Sequence, residues 1–391
     1  MICHQIQAEN FRNIAGATVD FSPGINLLLG NNAQGKTNLL EAITLMAIGK
    51  SFRGAKDADL IRFGEQTAKV SLSYHDGIRL QNLTSTLCAG KRRRTEQNGV
   101  PLARMSETVG AFRVVLFCPE HLSLIKSGPE LRRGFLDIAI SQLKPLYLAG
   151  LQKYAKILKQ RNVLLKSVAE NPALRRQAEE TLDVWSDQLA REAAVISLYR
   201  ARYVRRMREA VAQVFGEMTG GREVPVLTYE GSSHGEEESY LDRKATEETY
   251  RRLLHEFHDR EFGAGCTLYG PHRDDMAVTL NGVSARLYAS QGQQRSLSLA
   301  MKLAEGEISR ESCGDYPVFL FDDVLSELDQ TRRDYLTRHI REKQVIMTGC
   351  EVPEKRMPAE THVIRVNGGT FVPEESGARE SGYESPDPEL A

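Results

Sequence analysis

GNNAQGKT, residues 30–37, fits the pattern G-x-x-x-x-G-K-[ST] at every fixed position. Ile25, Leu27, Leu28 and Leu29 come just before it, and a helix-forming run, NLLEAI (38–43), comes just after. A phosphate-binding loop needs that strand–loop–helix setting. The backbone N–H groups of Gly30, Asn31, Asn32, Ala33, Gln34 and Gly35 are expected to converge on phosphates, aided by the positive end of the helix dipole. Lys36 would reach the β- and γ-phosphates of ATP, and the Thr37 hydroxyl would hold Mg²⁺. The motif assigns nucleotide binding and leaves open what the nucleotide is for.

The chain has 391 residues, a formal net charge of −1 and 26% charged residues. That length allows two or three domains around a large core. The even charge balance excludes a uniformly basic nucleic-acid binder, so any DNA-binding surface must be local. Six scattered cysteines (Cys3, Cys88, Cys118, Cys266, Cys313, Cys350) contain no C-x-x-C pair, which favours reduced thiols over a disulfide framework or zinc site. No signal peptide opens the sequence, and no apolar stretch reaches the ~18 residues of a membrane span. A soluble, cytoplasmic protein is expected.

Residues 1–30 read as β structure leading into the loop. Alternating segments at 69–74 and 78–87 flank the tight turn Asp76-Gly77, and a second turn, Asn98-Gly99, follows the basic run KRRR (91–94). That run is either a solvated hairpin edge or a phosphate contact. Residues 114–117, VVLF, form a compact apolar strand. From about residue 145 the spacing turns helical. One run carries Leu148, Leu151, Ala155, Leu158 and Leu165; a longer one carries Leu182, Trp185, Leu189, Ala193, Ile196, Tyr203, Met207 and Val214. Asn171-Pro172 separates them, which predicts a helical hairpin or arm. Residues 126–209 hold 17 Lys/Arg against 9 Asp/Glu, with Arg200, Arg202, Arg205, Arg206 and Arg208 crowded at one end. Either a face for nucleic acid or an acidic partner, or a solvated helix face, fits that surplus. Residues 230–261 compensate with 10 acids against 5 bases, and Glu236-Glu237-Glu238 reads as an exposed loop. The tail from Pro373 is acidic, nearly free of apolar residues and expected to be disordered.

Two further motifs lie far downstream. VFLFDD (318–323) is a buried strand delivering two carboxylates to the C-terminal edge of a sheet. Asp322 is expected to support the Mg²⁺ shell, and Asp323 to polarise a water or take its proton. SQGQQR (290–295) opens a helical run with small residues and a serine hydroxyl, an anion site at a helix start.

Together the phosphate loop, S-x-G-Q, the apolar strand ending in DD, and Ser326-Glu327-Leu328-Asp329 resemble the ABC-type ATPase heads of the SMC family. NFRN (10–13), GKSFR (49–53), Pro119-Glu120, GPHRDD (270–275) and ASQGQQR (289–295) narrow the likeness to its recombination-repair branch, over roughly residues 1–366. The resemblance implies an α/β fold, with mixed sheets and helices forming a head split in sequence (1–144 and 263–372). A helical lever arm is inserted at 145–262, and the acidic tail (373–391) lies outside. It implies an ATP-dependent homodimer in which Ser290, Gly292 and Gln293 close over the other subunit's γ-phosphate, with Arg12 and Asp329 in the nucleotide-binding set. It also implies binding of double-stranded DNA near single-strand gaps, and cooperation with RecR and RecO to load RecA. Two departures from the wider ABC pattern stand out. Asp323 occupies the place of a catalytic Glu, and no switch His follows QVIM (344–347), where Thr348-Gly349-Cys350 come instead. Weak, DNA-stimulated, regulatory hydrolysis is therefore expected. The competing readings are the ATPase subunit of an ABC transporter and a small-molecule P-loop kinase.

Overall fold

A computed structural model describes residues 1–350 and 361–374. The first three strands are β1 (Ile2–Phe11), β2 (Ile14–Asp20) and β3 (Ile25–Leu29), followed by helix α1 (Lys36–Ile48). Then come β4 (Thr67–His75), β5 (Leu80–Cys88), β6 (Arg94–Gln97), β7 (Val100–Pro101) and β8 (Val114–Phe117). Helices α2 (Pro129–Leu143), α3 (Pro145–Glu170) and α4 (Arg175–Thr219) lead to β9 (Pro225–Glu230), α5 (Arg243–Glu256) and α6 (His258–Ala264). The last part holds β10 (Asp275–Leu280), β11 (Val283–Ser284), α7 (Gln291–Cys313), β12 (Val318–Phe321), α8 (Gln330–His339), β13 (Val345–Gly349), β14 (His362–Asn367) and β15 (Thr370–Pro373).

Three sheets organise these strands. The central one runs β15-β14-β3-β13-β12-β8, parallel except for β15; an antiparallel sheet runs β2-β1-β4-β5-β6-β7; a small one runs β11-β10-β9. Strands β12 and β8 are apolar throughout, and β3 and β13 are apolar but for Asn26 and the Thr348-Gly349 end, because both of their faces are covered. Ile25, Leu27, Leu29, Phe319, Phe321, Val345 and Met347 enter one core; Leu28, Val318, Leu320 and Ile346 enter the other. Burying each such side chain contributes roughly 1.5–3 kcal/mol. Helix α7 lies so close to the first of these cores that a Cβ at Gly306 would come within 2.2 Å of the Phe319 ring.

The helical hairpin forms, with its bend at Asn171, whose side chain caps the short turn over Pro172–Leu174. On α3 the buried stripe is Tyr147, Gly150, Tyr154, Arg161, Leu165 and Val168, so the apolar run expected from the sequence sits partly off the packing face and Ala155 is exposed. The helix is turned by its aromatic and arginine side chains, which find partners that an apolar count does not see. Strand β9 pairs with β10 across the small sheet, so the domain boundary expected at 262/263 falls between paired strands. The acidic tail expected from residue 373 lies outside the described residues beyond Glu374. No helix among the described residues is long and apolar enough to cross a membrane.

Candidate nucleotide site

Strands β3, β13 and β12 lie side by side and parallel, so the residues that follow them emerge together at one sheet edge. After β3 comes the loop 30–37; after β12 comes Asp322; β13 ends in Thr348-Gly349. The Thr37 hydroxyl donates to Asp322 Oδ1 at 2.8 Å, across 285 residues of sequence. Thr348 donates to the same oxygen at 3.1 Å and accepts from the Asp323 amide at 2.8 Å. The Gly30 amide donates to the Gly349 carbonyl. Thr348 stands at the place of the missing histidine. Its signal was the one that found Asp322: a polar residue at the end of a buried strand.

Asp322 is 7% exposed. Burial pushes its pKa up, the bonds from Thr37 and Thr348 pull it down, and the charges of Asp323 and Glu120 push it up again. Asp323 has a left-handed backbone (φ 51°), and its Oδ1 accepts from Ser326 at 3.1 Å. The Lys36 ammonium folds back on the loop, donating to the carbonyls of Gly30 and, at 3.0 Å, Asn31. Gly35 sits at φ 113°, a conformation side chains resist, with no side-chain cap on α1, so the first-turn amides point into the loop without a protein acceptor of that kind. The turn after β14 braces the loop from outside: the amides of Gly368 and Gly369 donate to the side chain and carbonyl of Gln34.

The NFRN motif, whose Arg12 is expected in the nucleotide-binding set, and the GKSFR motif meet behind the loop. Glu41 of α1 is fully buried and receives both Nε and NH2 of Arg12 at 2.9 Å, together with the hydroxyl of Ser51; Arg53 lies 3.9 Å away. NFRN and GKSFR thus share one carboxylate on the helix that follows the phosphate loop. Asn13 and Asn38 bond each other at 2.7 Å, and Arg12, Asn13, Asn38 and Arg53 line an open pocket of about 690 Å³ with the exposed Phe63.

The start of α7 is treated in the opposite way to that of α1. Ser290 Oγ accepts from the Gln293 amide, and Gln293 Oε1 accepts from the Ser290 amide, a reciprocal capping box. Arg332 of α8 ties this helix to the next motif: it donates to the Gly292 carbonyl at 2.9 Å, to Ser296, and to the Asp329 carboxylate. The structure thus joins Gly292 to Asp329 through Arg332. Among the described residues, the side-chain bonds of Ser290 and Gln293 go to each other and to Glu223, none to the phosphate loop.

GPHRDD proves to be a structural clasp. Asp274, 1% exposed, accepts from the Tyr229 hydroxyl and the Ser232 amide; Asp275 takes a two-pronged bond from Arg132 at 2.7 Å; the Pro271 carbonyl accepts from Arg200. His272 Nδ1 lies 2.6 Å from the Tyr154 hydroxyl, and burial holds its pKa down at about 4. Much of the basic surplus of residues 126–209 is consumed in this way. Arg132, Arg161 and Arg200 are buried and paired to Asp275, Glu261 and Asp137, while Arg206 and Arg208 pair with Glu311 and Glu237. Arg202 and Arg205 remain exposed, as do Lys153, Lys156 and Lys159. In the 91–94 run Arg93 is bound to Asp57, and its three neighbours are exposed.

Residues 2–351 match the RecF/RecN/SMC N terminal domain family. The chain is 38% identical over 374 residues to the DNA replication and repair protein RecF of Geobacillus kaustophilus, covering 95% of this chain and 99% of that one. It is 36% identical to the same protein of Staphylococcus carnosus, over 95% and 100%. A solved structure of the recombination mediator protein RecF-ATPrS in the RecFOR pathway superposes with a TM-score of 0.88 at 31% identity, covering 95% of this chain and 97% of that one. An SMC head domain from Pyrococcus furiosus shares the fold at 15% identity and a TM-score of 0.54. With the central sheet, the phosphate loop and the distant Asp322 arranged as in an ABC-type ATPase head, and with likeness running nearly end to end, the chain belongs to the RecF family of DNA replication and repair proteins.

Proposed function

We propose that this chain binds Mg·ATP between residues 30–37 and Asp322, and that ATP closes a dimer which holds double-stranded DNA beside single-strand gaps. The observation that carries the reading is the 2.8 Å contact of Thr37 with Asp322. A hydroxyl and a carboxylate are the hard oxygen donors Mg²⁺ takes, and adjacent ligands of an octahedral shell with 2.0–2.1 Å bonds lie roughly 2.9 Å apart. Thr37 and Asp322 would hold the ion, whose positive charge would offset the negative charge that develops on the phosphates. Lys36 would exchange its two loop carbonyls for phosphate oxygens, and the uncapped amides of α1 would complete the cradle. Arg12 lines the adjoining pocket and stands beside the nucleotide. Asp323 would orient the attacking water; one methylene shorter than Glu and engaged by Ser326, it makes hydrolysis slow, a timer for release.

Ser290, Gly292 and Gln293 would meet the γ-phosphate bound by a second copy, with Asp329 at the same joint. The names of the relatives support a place in DNA replication and repair. Joint action with RecR and RecO in loading RecA, and residence in the cytoplasm, are proposed from the family resemblance alone. Light scattering of the Asp323→Asn protein, with and without Mg·ATP and a gapped duplex, tests the core of the reading. A mass that doubles with nucleotide supports it; a monomer at saturating ATP overturns the shared site.

A further inference from the structure

Away from the nucleotide site, Asp183 on α4 meets His255 at the end of α5 and His258 at the start of α6. Their ligand atoms all lie within 4.8 Å of one another. Asp183 Oδ1 is the hub, 3.2 Å from His255 Nδ1 and 3.7 Å from His258 Nε2. Ligands of a tetrahedral zinc with bonds of 2.0–2.1 Å stand roughly 3.3 Å apart, so this set needs only small side-chain shifts to converge. Neither Asp183 Oδ1 nor His258 Nε2 has a hydrogen-bond partner, although both atoms are closed off from solvent. Two buried polar atoms left in that state cost free energy on the order of 1–3 kcal/mol each. Two imidazoles and a carboxylate whose ligand atoms are turned toward one another have the composition of a zinc site with a position left for water.

The surroundings agree. Asp187, one helical turn after Asp183, puts Oδ1 3.5 Å from the other nitrogen of His255, where a carboxylate orients a metal-bound imidazole. Asp187 is itself held by Arg251 at 3.0 Å. The side chain of Asp183 is 50% exposed and that of His255 38%, which leaves an entry path from solvent.

We infer that Asp183, His255 and His258 form a zinc-class metal site that staples the α5–α6 corner to the long helix α4. The site would fix the angle at which the helical hairpin leaves its base, independently of nucleotide.

The test is a Co²⁺ titration of the full chain, stripped of metal, followed by visible absorption. We expect one Co²⁺ per chain with the strong d–d bands of low coordination, displaced by Zn²⁺, and a thermal midpoint that rises with Zn²⁺ and falls with chelator. Asp183→Asn and His258→Asn should each weaken binding at least tenfold. His255→Ala removes the most exposed imidazole of the corner and should do the same while circular dichroism stays unchanged, which separates lost ligation from lost folding. His75→Asn, on the edge of a distant strand, should bind as wild type. Absence of saturable one-to-one binding, equal binding by wild type and His255→Ala, or a sulfur-to-cobalt charge-transfer band in place of the d–d signature would each overturn the inference.

Discussion

Thr37 and Asp322 share a 2.8 Å hydrogen bond although almost three quarters of the chain separates them. Burial raises the pKa of the Asp322 carboxyl above its ordinary value. A carboxyl whose folded pKa is raised gives stability that is intact below its unfolded pKa and lost as pH rises through the folded one. Asp322→Asn should therefore gain on wild type in urea resistance between pH 4 and pH 7, measured without nucleotide, while losing Mg·ATP binding. A variant less stable than wild type at pH 7 would mean that the bonds from Thr37 and Thr348 outweigh the burial of the charge.

Glu41 and Arg12 should respond unequally to mutation. Arg12 has access to solvent, with its side chain 22% exposed, whereas Glu41 has none. Removing the arginine strands a buried carboxylate beside Ser51, at a cost of about 3–5 kcal/mol. Glu41→Gln keeps the size and most bonds and should cost about 1–2 kcal/mol. Denaturant midpoints would rank them; equal losses would show that Arg12 is replaced by Arg53, now 3.9 Å away.

The arginines of α4 divide by burial. Arg200, 2% exposed, is bound to Asp137, Tyr147 and the Pro271 carbonyl. Arg200→Ala should lower stability by several kcal/mol, since it leaves these groups buried and unpaired. Arg202→Glu with Arg205→Glu should leave the melting temperature nearly unchanged. If these two side chains touch DNA phosphates, each removes about 0.9 from the slope of log affinity against log salt. An unchanged slope would move the contact to Lys153, Lys156 and Lys159 or to residues 91–94.

Acid should loosen the clasp around His272. Its folded pKa is about 4, against an ordinary 6.5, because burial disfavours the imidazolium. Its Nε2 faces the Thr267 carbonyl and its Nδ1 the Tyr154 hydroxyl, partners that a neutral ring satisfies by donating once and accepting once. A depressed histidine gives stability that is present above its unfolded pKa and lost as pH falls toward the folded one, on the order of 3 kcal/mol over that window. His272→Asn should flatten the fall in urea midpoint between pH 7 and pH 4.5; a parallel fall in both proteins would assign the acid loss to other groups.

The frame of the site could be read from residue patterns because they are local. Loop 30–37 carries its own glycines and lysine, and VFLFDD its own apolar run and acids. The helical hairpin also showed itself, through the spacing along α4 and the break at Asn171. What resisted reading was pairing at a distance. Arg161 sits on the buried stripe of α3 because Glu261, Thr267 and Ser186 are there to receive it, and nothing near residue 161 announces those partners. The same holds for Arg132 and Arg200, whose charge counted toward a surface they do not reach. Thr348 and Glu41 were obscured for a related reason: each acts by bonding a motif residue and carries no motif of its own.

The position of β3 has a consequence for the making of the protein. Its two neighbours in the central sheet, β13 and β14, come from beyond residue 344. A ribosome adding 5–20 residues per second releases the INLLL strand roughly 15–60 s before either partner exists. Throughout that interval a strand with four apolar residues in five, and the phosphate loop behind it, wait with both edges unpaired, a standing invitation to aggregation or to a chaperone. The segment written first is the last to become usable, and a chain cut short anywhere before β13 carries the loop motif without the sheet that gives it meaning.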